Sequence, residues 1–217
     1  MSAPTIVGTT TGAAGGEATH SVSIPPSVAG DLLLILIRPS SATVFTSPGG
    51  FISAFQGDSR TTLFYKVATG TEGTATPINN SNSTSCNFVT YRITNWGGDA
   101  TKHFAFSGTA AASGFAPDAP LLTLPTSFAP YADTLFIVAT GARSSAGAQT
   151  AFAPSYTQSQ IVSGTAGYVS LASRVLSVAS EDPGASSHAG SDGWVAITIA
   201  VAAPANALNN LFFGAGF

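Results

Sequence analysis

The sequence is poor in charge, and the few cations that it has are not clustered. Charged residues make up 8% of the 217-residue chain, whereas ordinary globular domains contain roughly 25%. The seven lysines and arginines are scattered singly, and the ten acidic residues bring the formal net charge to −3. A nucleic-acid backbone is bound by several cations on one face. We therefore expect no nucleic-acid partner.

Cysteine and long hydrophobic segments are also scarce. The single cysteine, Cys86, excludes an internal disulfide framework and a cysteine-based zinc site. The most apolar run, Leu32–Ile37, is far shorter than the roughly 20 residues that cross a bilayer. The first residues, MSAPTIVGTTTG, lack the basic region and apolar core of a secretory signal. We expect a soluble protein that is made in a cytoplasm and has no membrane partner.

The motifs of common enzymes are missing as well. His20, His103 and His188 stand in separate segments, without metal-binding or catalytic spacing. The only adjacent acidic pair, Glu181-Asp182, precedes Pro-Gly, which favours a turn over a pair of catalytic carboxylates. The sequence contains no nucleophile elbow, phosphate-binding loop or dinucleotide fingerprint. We therefore expect no enzyme, no cofactor and no metal site.

What the sequence does contain is a series of short strand-like segments. Leu32–Ile37 is a continuous apolar run closed by Pro39, which predicts a strand buried on both faces, and Leu135–Ala139 has the same character. The other segments alternate apolar and polar residues, and none carries the 3.6-residue stripe of a helix. Trp96 closes one predicted strand and Trp194 opens another, which favours packing at the core rim over carbohydrate stacking. The chain is predicted to be all-β.

The order of these segments occurs twice along the chain. Four pairs of segments correspond: 23–37 with 123–139, 47–51 with 153–156, 65–73 with 173–184, and 88–94 with 194–200. The offset is 102 between Asp31 and Asp133 but 108 between Lys66 and Arg174, as expected if loops changed length while the strands kept their order. The alternative is that any β chain of biased composition resembles itself. The shared order of four features favours an internal duplication.

We therefore predict one antiparallel β-sandwich with jelly-roll-like wiring, pseudo-two-fold internal symmetry and about eight main strands. Its predicted parts are an N-terminal extension (1–14), a sandwich (15–203) made of two repeats (18–97 and 119–203), and an apolar C-terminal tail (204–217). The Gly-, Ser- and Asn-rich stretches 41–50, 74–85, 98–120 and 141–155 are interpreted as loops.

The C-terminal tail, NALNNLFFGAGF, is the candidate interaction segment. Two interpretations remain open for it: folding back to cover an edge of its own domain, or docking as an apolar anchor on a partner. The candidate contact residues are Leu208, Leu211, Phe212, Phe213 and Phe217.

Several of the motifs resemble a β-domain that is common in virion proteins of tailed bacteriophages and prophages. The resemblance rests on AGDLLL (29–34), YKVATGTE (65–72), SEDPG (180–184) and WVAITIAV (194–201), and it covers most of residues 18–203. The chain departs from the family at Phe51, where tryptophan is frequent. It also departs after the last strand, where a basic residue is replaced by Ala202-Ala203.

The resemblance implies a viral structural protein located in the virion and made in the cytoplasm of a bacterial host. The first hypothesis is a capsid decoration (cement) protein that stabilises the phage head as a homotrimer, with the major capsid protein or other virion proteins as partners. The alternative is a tail-tip or fibre protein that binds host surface carbohydrate through loops 74–85 and 141–155. An enzyme acting on cell-wall sugars is disfavoured, because an acid pair and a nucleophile are missing.

Overall fold

The computed structural model describes residues 2–57, 61–111, 113–143 and 146–204. In chain order the strands are β1 (Thr5–Ser23), β2 (Leu32–Pro39), β3 (Ile52–Gly57), β4 (Thr61–Val67), β5 (Ala75–Thr94), β6 (Phe104–Ala111), β7 (Leu122–Thr123), β8 (Thr134–Ala142), β9 (Gln149–Ala151), β10 (Thr157–Gly164), β11 (Gly167–Leu176), β12 (Ser180–Glu181), β13 (Ser187–His188) and β14 (Trp194–Val201). A one-turn helix, α1 (Ala100–His103), and a 3-10 turn at Thr126–Phe128 interrupt them. Within the described ranges, no helix is long and apolar enough to cross a membrane.

Two antiparallel sheets of five strands each form the sandwich. Their strand orders are β1-β5-β2-β4-β3 and β10-β11-β8-β14-β6. Strands β2 and β8, the two apolar runs of the sequence, lie at the centres of the sheets. The predicted all-β antiparallel sandwich is therefore confirmed. The two sheets hold ten strands rather than the predicted eight, and β7 with β12 and β9 with β13 form two small additional ladders.

The internal duplication is visible in the strand orders. The first sheet uses residues 5–94 and the second uses residues 104–201. The order of the second sheet, taken from β6 to β10, matches the order of the first sheet, taken from β1 to β3. The corresponding pairs are β1 with β6, β5 with β14, β2 with β8, β4 with β11 and β3 with β10. The loops correspond too: Ile24 N donates to Thr74 O at 3.0 Å, and Leu124 N donates to Ala179 O at 2.9 Å. Each repeat is one sheet of the sandwich.

The main core lies between the two sheets and is built from alternate residues of their strands. Leu32, Leu34 and Leu36 of β2 point into it, facing Leu135 and Ile137 of β8. Because successive side chains of a strand alternate between faces, inward residues of the two repeats must be separated by an odd number in these strands. Strands β2 and β8 therefore do not share the even offset of 102 that separates Asp31 from Asp133.

The outer face of each sheet is covered by chain segments of its own repeat. In the first sheet, Leu33, Ile35 and Ile37 pack beneath Val22 and Ile78, which lie at the second half of β1 and the beginning of β5. In the second, Phe136 and Val138 pack beneath a cover that includes Leu122, Leu124 and Phe128. All residues of β2 and β8 are buried, which confirms that both strands are buried on both faces. Full burial of each such aliphatic side chain contributes about 1.5–3 kcal/mol.

Several predicted boundaries change. Residues 5–14, assigned to an N-terminal extension, form the first half of β1 and pair with residues 86–94. Most of 74–85 lies in β5, and 98–120 contains β6, so neither stretch is only a loop. The sheet-forming repeats are 5–94 and 104–201 rather than 18–97 and 119–203. Strand β6 and the first half of β1 were not predicted, because these edge strands consist mainly of small residues and carry little apolar alternation.

Candidate functional site

The five predicted interaction residues of the tail, Leu208, Leu211, Phe212, Phe213 and Phe217, lie outside the described residues. The structure does show where the tail leaves the sandwich. Val201, the last residue of β14, lies opposite Phe104, the first residue of β6. Ala202 N then donates to His103 O at 2.9 Å, and Ala202 O accepts from Gly97 N at 3.1 Å. The tail therefore begins next to the start of the edge strand β6.

Parts of the two stretches proposed to bind carbohydrate, residues 80–85 and the beginning of 141–155, lie near one end of the sandwich. Asn87 of β5 lies opposite Arg38 at the end of β2, and Gly167 of β11 precedes Tyr168, which lies opposite Ala142 at the end of β8. Asn87 Nδ2 donates to Gly167 O across the two sheets at 2.8 Å, so these two strand ends lie close together. Residues 80–85 pack on the loop after β2, where Ser81 N donates to Val44 O at 3.1 Å and the hydroxyls of Ser81 and Thr43 are 2.9 Å apart. This end is rich in hydroxyl and amide groups that bond to one another.

One motif of the resemblance forms an aromatic–cation–carboxylate cluster on the first sheet. Lys66 Nζ lies 3.1 Å from Glu72 Oε1 and 5.7 Å from the ring centroid of Phe51. The Glu72 carboxylate also accepts from Thr69 N at 2.6 Å and from Gly70 N at 2.9 Å. Burial opposes ionisation of Glu72, but the Thr69 hydrogen bonds and the Lys66 ion pair outweigh it and hold the pKa of Glu72 well below its usual range.

The corresponding motif of the second repeat forms the same cluster on the second sheet. Arg174 forms an ion pair with Glu181, and its guanidinium carbon lies 4.7 Å from the ring centroid of Tyr156. Tyr156 OH donates to Glu181 Oε1 at 3.1 Å. Burial, reinforced by the charge of Glu181, raises the pKa of the Tyr156 hydroxyl. Glu181 is thus held by side chains, whereas Glu72 is held largely by backbone N–H groups. Each cluster attaches a loop to its sheet.

The histidines remain separate in the folded chain. His20 is fully buried with Nε2 2.9 Å from Asn80 Nδ2, and burial lowers its pKa while the charge of Glu17 opposes this. His188 is buried with Nε2 2.6 Å from Gly114 O. Within the described part of the chain, no three His, Cys, Asp or Glu residues come together as a metal-binding group.

Neither Trp96 nor Cys86 presents a reactive or stacking surface. Trp96 is 6% exposed and its indole N–H donates to Gly30 O at 2.7 Å. It therefore packs at the rim of the core between the sheets. Burial raises the pKa of the Cys86 thiol to about 12, so this thiol is protonated and unreactive near neutral pH.

A surface that the sequence did not indicate lies where β3 and β6, edge strands of the two sheets, face each other. Phe106 of β6 is 37% exposed, and Ile52 of β3, which lies opposite Tyr65 of β4, is 54% exposed. The Phe106 ring lies 6.0 Å from that of Phe104, which in turn lies 4.6 Å from Tyr65. Phe55 packs over Gly108, where a Cβ would come within 2.5 Å of its ring. We call Ile52, Phe55, Phe104 and Phe106 the edge patch.

Only a weak signal in the sequence could have identified the edge patch. Phe104 and Phe106 stand two residues apart in FAFSGTAA, as expected for side chains on one face of a strand. The following glycine and alanines obscured this alternation.

Comparisons with protein-family models, curated proteins and solved structures found no match for this chain. The fold therefore defines the class: a two-sheet antiparallel β-sandwich in which each sheet is one copy of an internal repeat.

Proposed function

We propose that this protein is a structural component of a tailed-bacteriophage virion, a decoration protein that stabilises the head through subunit contacts. Its motifs AGDLLL, YKVATGTE, SEDPG and WVAITIAV support this reading, because their residues have structural roles in the sandwich. Asp31 binds Arg92 at 2.6 Å, and Lys66 and Arg174 bind Glu72 and Glu181. Such motifs characterise a domain rather than a reaction.

One observation carries the proposal: an uncharged edge strand with an exposed phenylalanine lies beside the point where the apolar C-terminal segment leaves the sandwich. Strand β6 has the sequence FAFSGTAA and presents Phe106 to solvent. Exposed apolar surfaces and unpaired strand edges are features through which proteins associate. Such a surface is suited to the subunit contacts of a virion head.

A decoration protein would act by mass action. Anything that binds an assembled state and not its dissociated parts stabilises that state in proportion to its occupancy. A specific contact of this kind buries about 1,200–2,000 Å² in total. Many identical contacts around a head would add their stabilisation, and the low charge of the chain lowers the cost of burying its surface.

Antibody labelling of intact virions tests the proposal. An antibody raised against the purified protein is expected to decorate the head in electron micrographs, and heads stripped of the protein should break at a lower temperature. Labelling confined to the tail tip would reject the decoration role and favour the carbohydrate-binding alternative. In that case the hydroxyl-rich end formed by residues 40–46 and 80–85 would be the surface to test with glycans.

A further inference from the structure

We propose that the tail of one copy, residues 205–217, docks on the edge patch and free edge of β6 of a second copy, so that the protein self-associates by exchanging tails. The inference goes beyond the position of the protein in a virion, since it concerns the isolated chain.

Among the described residues, no strand pairs with the outer edge of β6, and this edge is the least protected of the four sheet edges. Natural sheets protect their edges with charges, prolines or bulges. Strand β6 contains no charge and no proline, and its eight residues pair with β14 without a register shift. The other edge strands β1, β3 and β10 each carry a shift in register. Strand β6 therefore offers a regular row of backbone groups to an incoming segment.

The edge patch gives that strand an apolar side. Phe106 is partly exposed beside the buried ring of Phe104, and Ile52 is exposed opposite Tyr65, whose ring also contacts Phe104. An added strand would place alternate side chains over this opening. The aromatic rings would then be shielded from water, and burial of apolar surface stabilises such a contact.

The tail has the composition and length for this site. Residues 205–217 contain five large apolar side chains and no charge. Thirteen extended residues reach at most about 45 Å, and an eight-residue strand spans about 27 Å. A tail can therefore cross to a neighbour and still pair along a large part of β6.

The direction of the chain favours a second copy over the same copy. Strand β14 is antiparallel to β6 and ends beside Phe104, at the beginning of β6. A tail that turned directly onto its own β6 edge would run parallel to β6, whereas both five-stranded sheets pair antiparallel throughout. Antiparallel entry from the other end would first require about 27 Å of chain along the sandwich. A neighbour's tail can enter antiparallel without this detour.

Complementation between two full-length variants tests the exchange. The tail variant carries Phe212→Asp and Phe213→Asp; the edge variant carries Phe106→Lys. Analytical ultracentrifugation should show the wild-type protein as an oligomer and each variant alone as a monomer. An equal mixture should form heterodimers, because the intact tail of the edge variant can bind the intact edge of the tail variant.

Two controls keep the result interpretable. Ile161→Lys places the same charge at an exposed position (42%) of the opposite edge strand, β10, and should keep the wild-type mass. Phe106→Ser serves as a milder edge variant if Phe106→Lys lacks the wild-type circular dichroism spectrum. A monomeric wild type, variants that keep the wild-type mass, or a mixture that stays monomeric would overturn the proposal. If the isolated protein exchanged its C-terminal tails but the antibody did not label virion heads, only the decoration role would be rejected.

Discussion

Among single residues, the few charged side chains are used to hold loops in place. Asp31 accepts from Val28 N at 2.8 Å and binds Arg92 at 2.6 Å, and Arg92 also donates to Pro26 O at 2.9 Å. This network fixes the turn that leads into the central strand β2. Removing one partner of such a pair leaves the other charge poorly solvated, which costs more than the pair itself contributes. Charged residues are scarce in this protein, and this ion pair holds the entry to its central strand.

Replacing Glu72 by glutamine should remove a contribution to the free energy of unfolding that depends on pH. The pKa of Glu72 is lower in the folded protein than in the unfolded chain, where it is about 4.3. Its ionised form therefore stabilises the fold above about pH 4, and this contribution is lost as the pH falls toward the folded-state value. We expect Glu72→Gln to lower the free energy of unfolding at pH 7 by about 1–3 kcal/mol, and the difference from wild type to shrink below about pH 4.

Urea unfolding of both proteins between pH 3 and pH 7 measures this difference. The matched control is Glu17→Gln, which changes an exposed glutamate of β1 and should alter stability by less than about 0.5 kcal/mol. A Glu72→Gln difference that stayed constant over the whole pH range would contradict the assigned role of the carboxylate.

At the level of elements, sequence and structure agree on the centre of each sheet and differ at its edges. Leu32–Ile37 and Leu135–Ala139 were predicted correctly, because a strand covered on both faces must be apolar at every position. Strand β6 and the first half of β1 were missed, since FAFSGTAA and TIVGTTTGAA carry only weak alternation. The edge patch was missed with them. It forms only when two edges far apart in sequence are brought face to face.

Because β2 is buried on both faces, residues that are adjacent in its sequence should both be important for stability. Leu34 faces the core between the sheets, and Leu33 faces the outer cluster; both are at most 1% exposed. Leu34→Ala and Leu33→Ala should therefore each lower the free energy of unfolding by about 2–5 kcal/mol. Val28→Ala, at a 58% exposed position, is the control and should cost under about 0.5 kcal/mol.

Thermal or urea unfolding gives the three free energies directly. If only one of the two leucine substitutions were costly, β2 would have one solvated face. That result would contradict the cover provided by Val22 and Ile78.

For the whole molecule, the duplication makes each half the cover of the other. The inward side chains of the first sheet, such as Leu34 and Leu36, meet those of the second, such as Ile137 and Val169. Each repeat covers its outer face with its own connections, but its inner face has no cover within the repeat. A sheet must bury its apolar face against another layer to be stable. The sandwich is therefore equivalent to a dimer of sheets joined by residues 95–103.

Dividing the chain in this connection tests that equivalence. Fragments 1–98 and 99–217 keep all five main-sheet strands of each repeat together. Each fragment alone should fail to unfold cooperatively and should aggregate, because its whole inner face is exposed. Co-expressed fragments should associate and recover a cooperative thermal transition, at a midpoint below that of the intact chain, since joining two fragments costs entropy that the linker otherwise removes. The uncut protein at the same concentration is the control. A monomeric fragment with its own cooperative transition would mean that one sheet can form a core without its partner, and the role of the duplication would then lie outside folding.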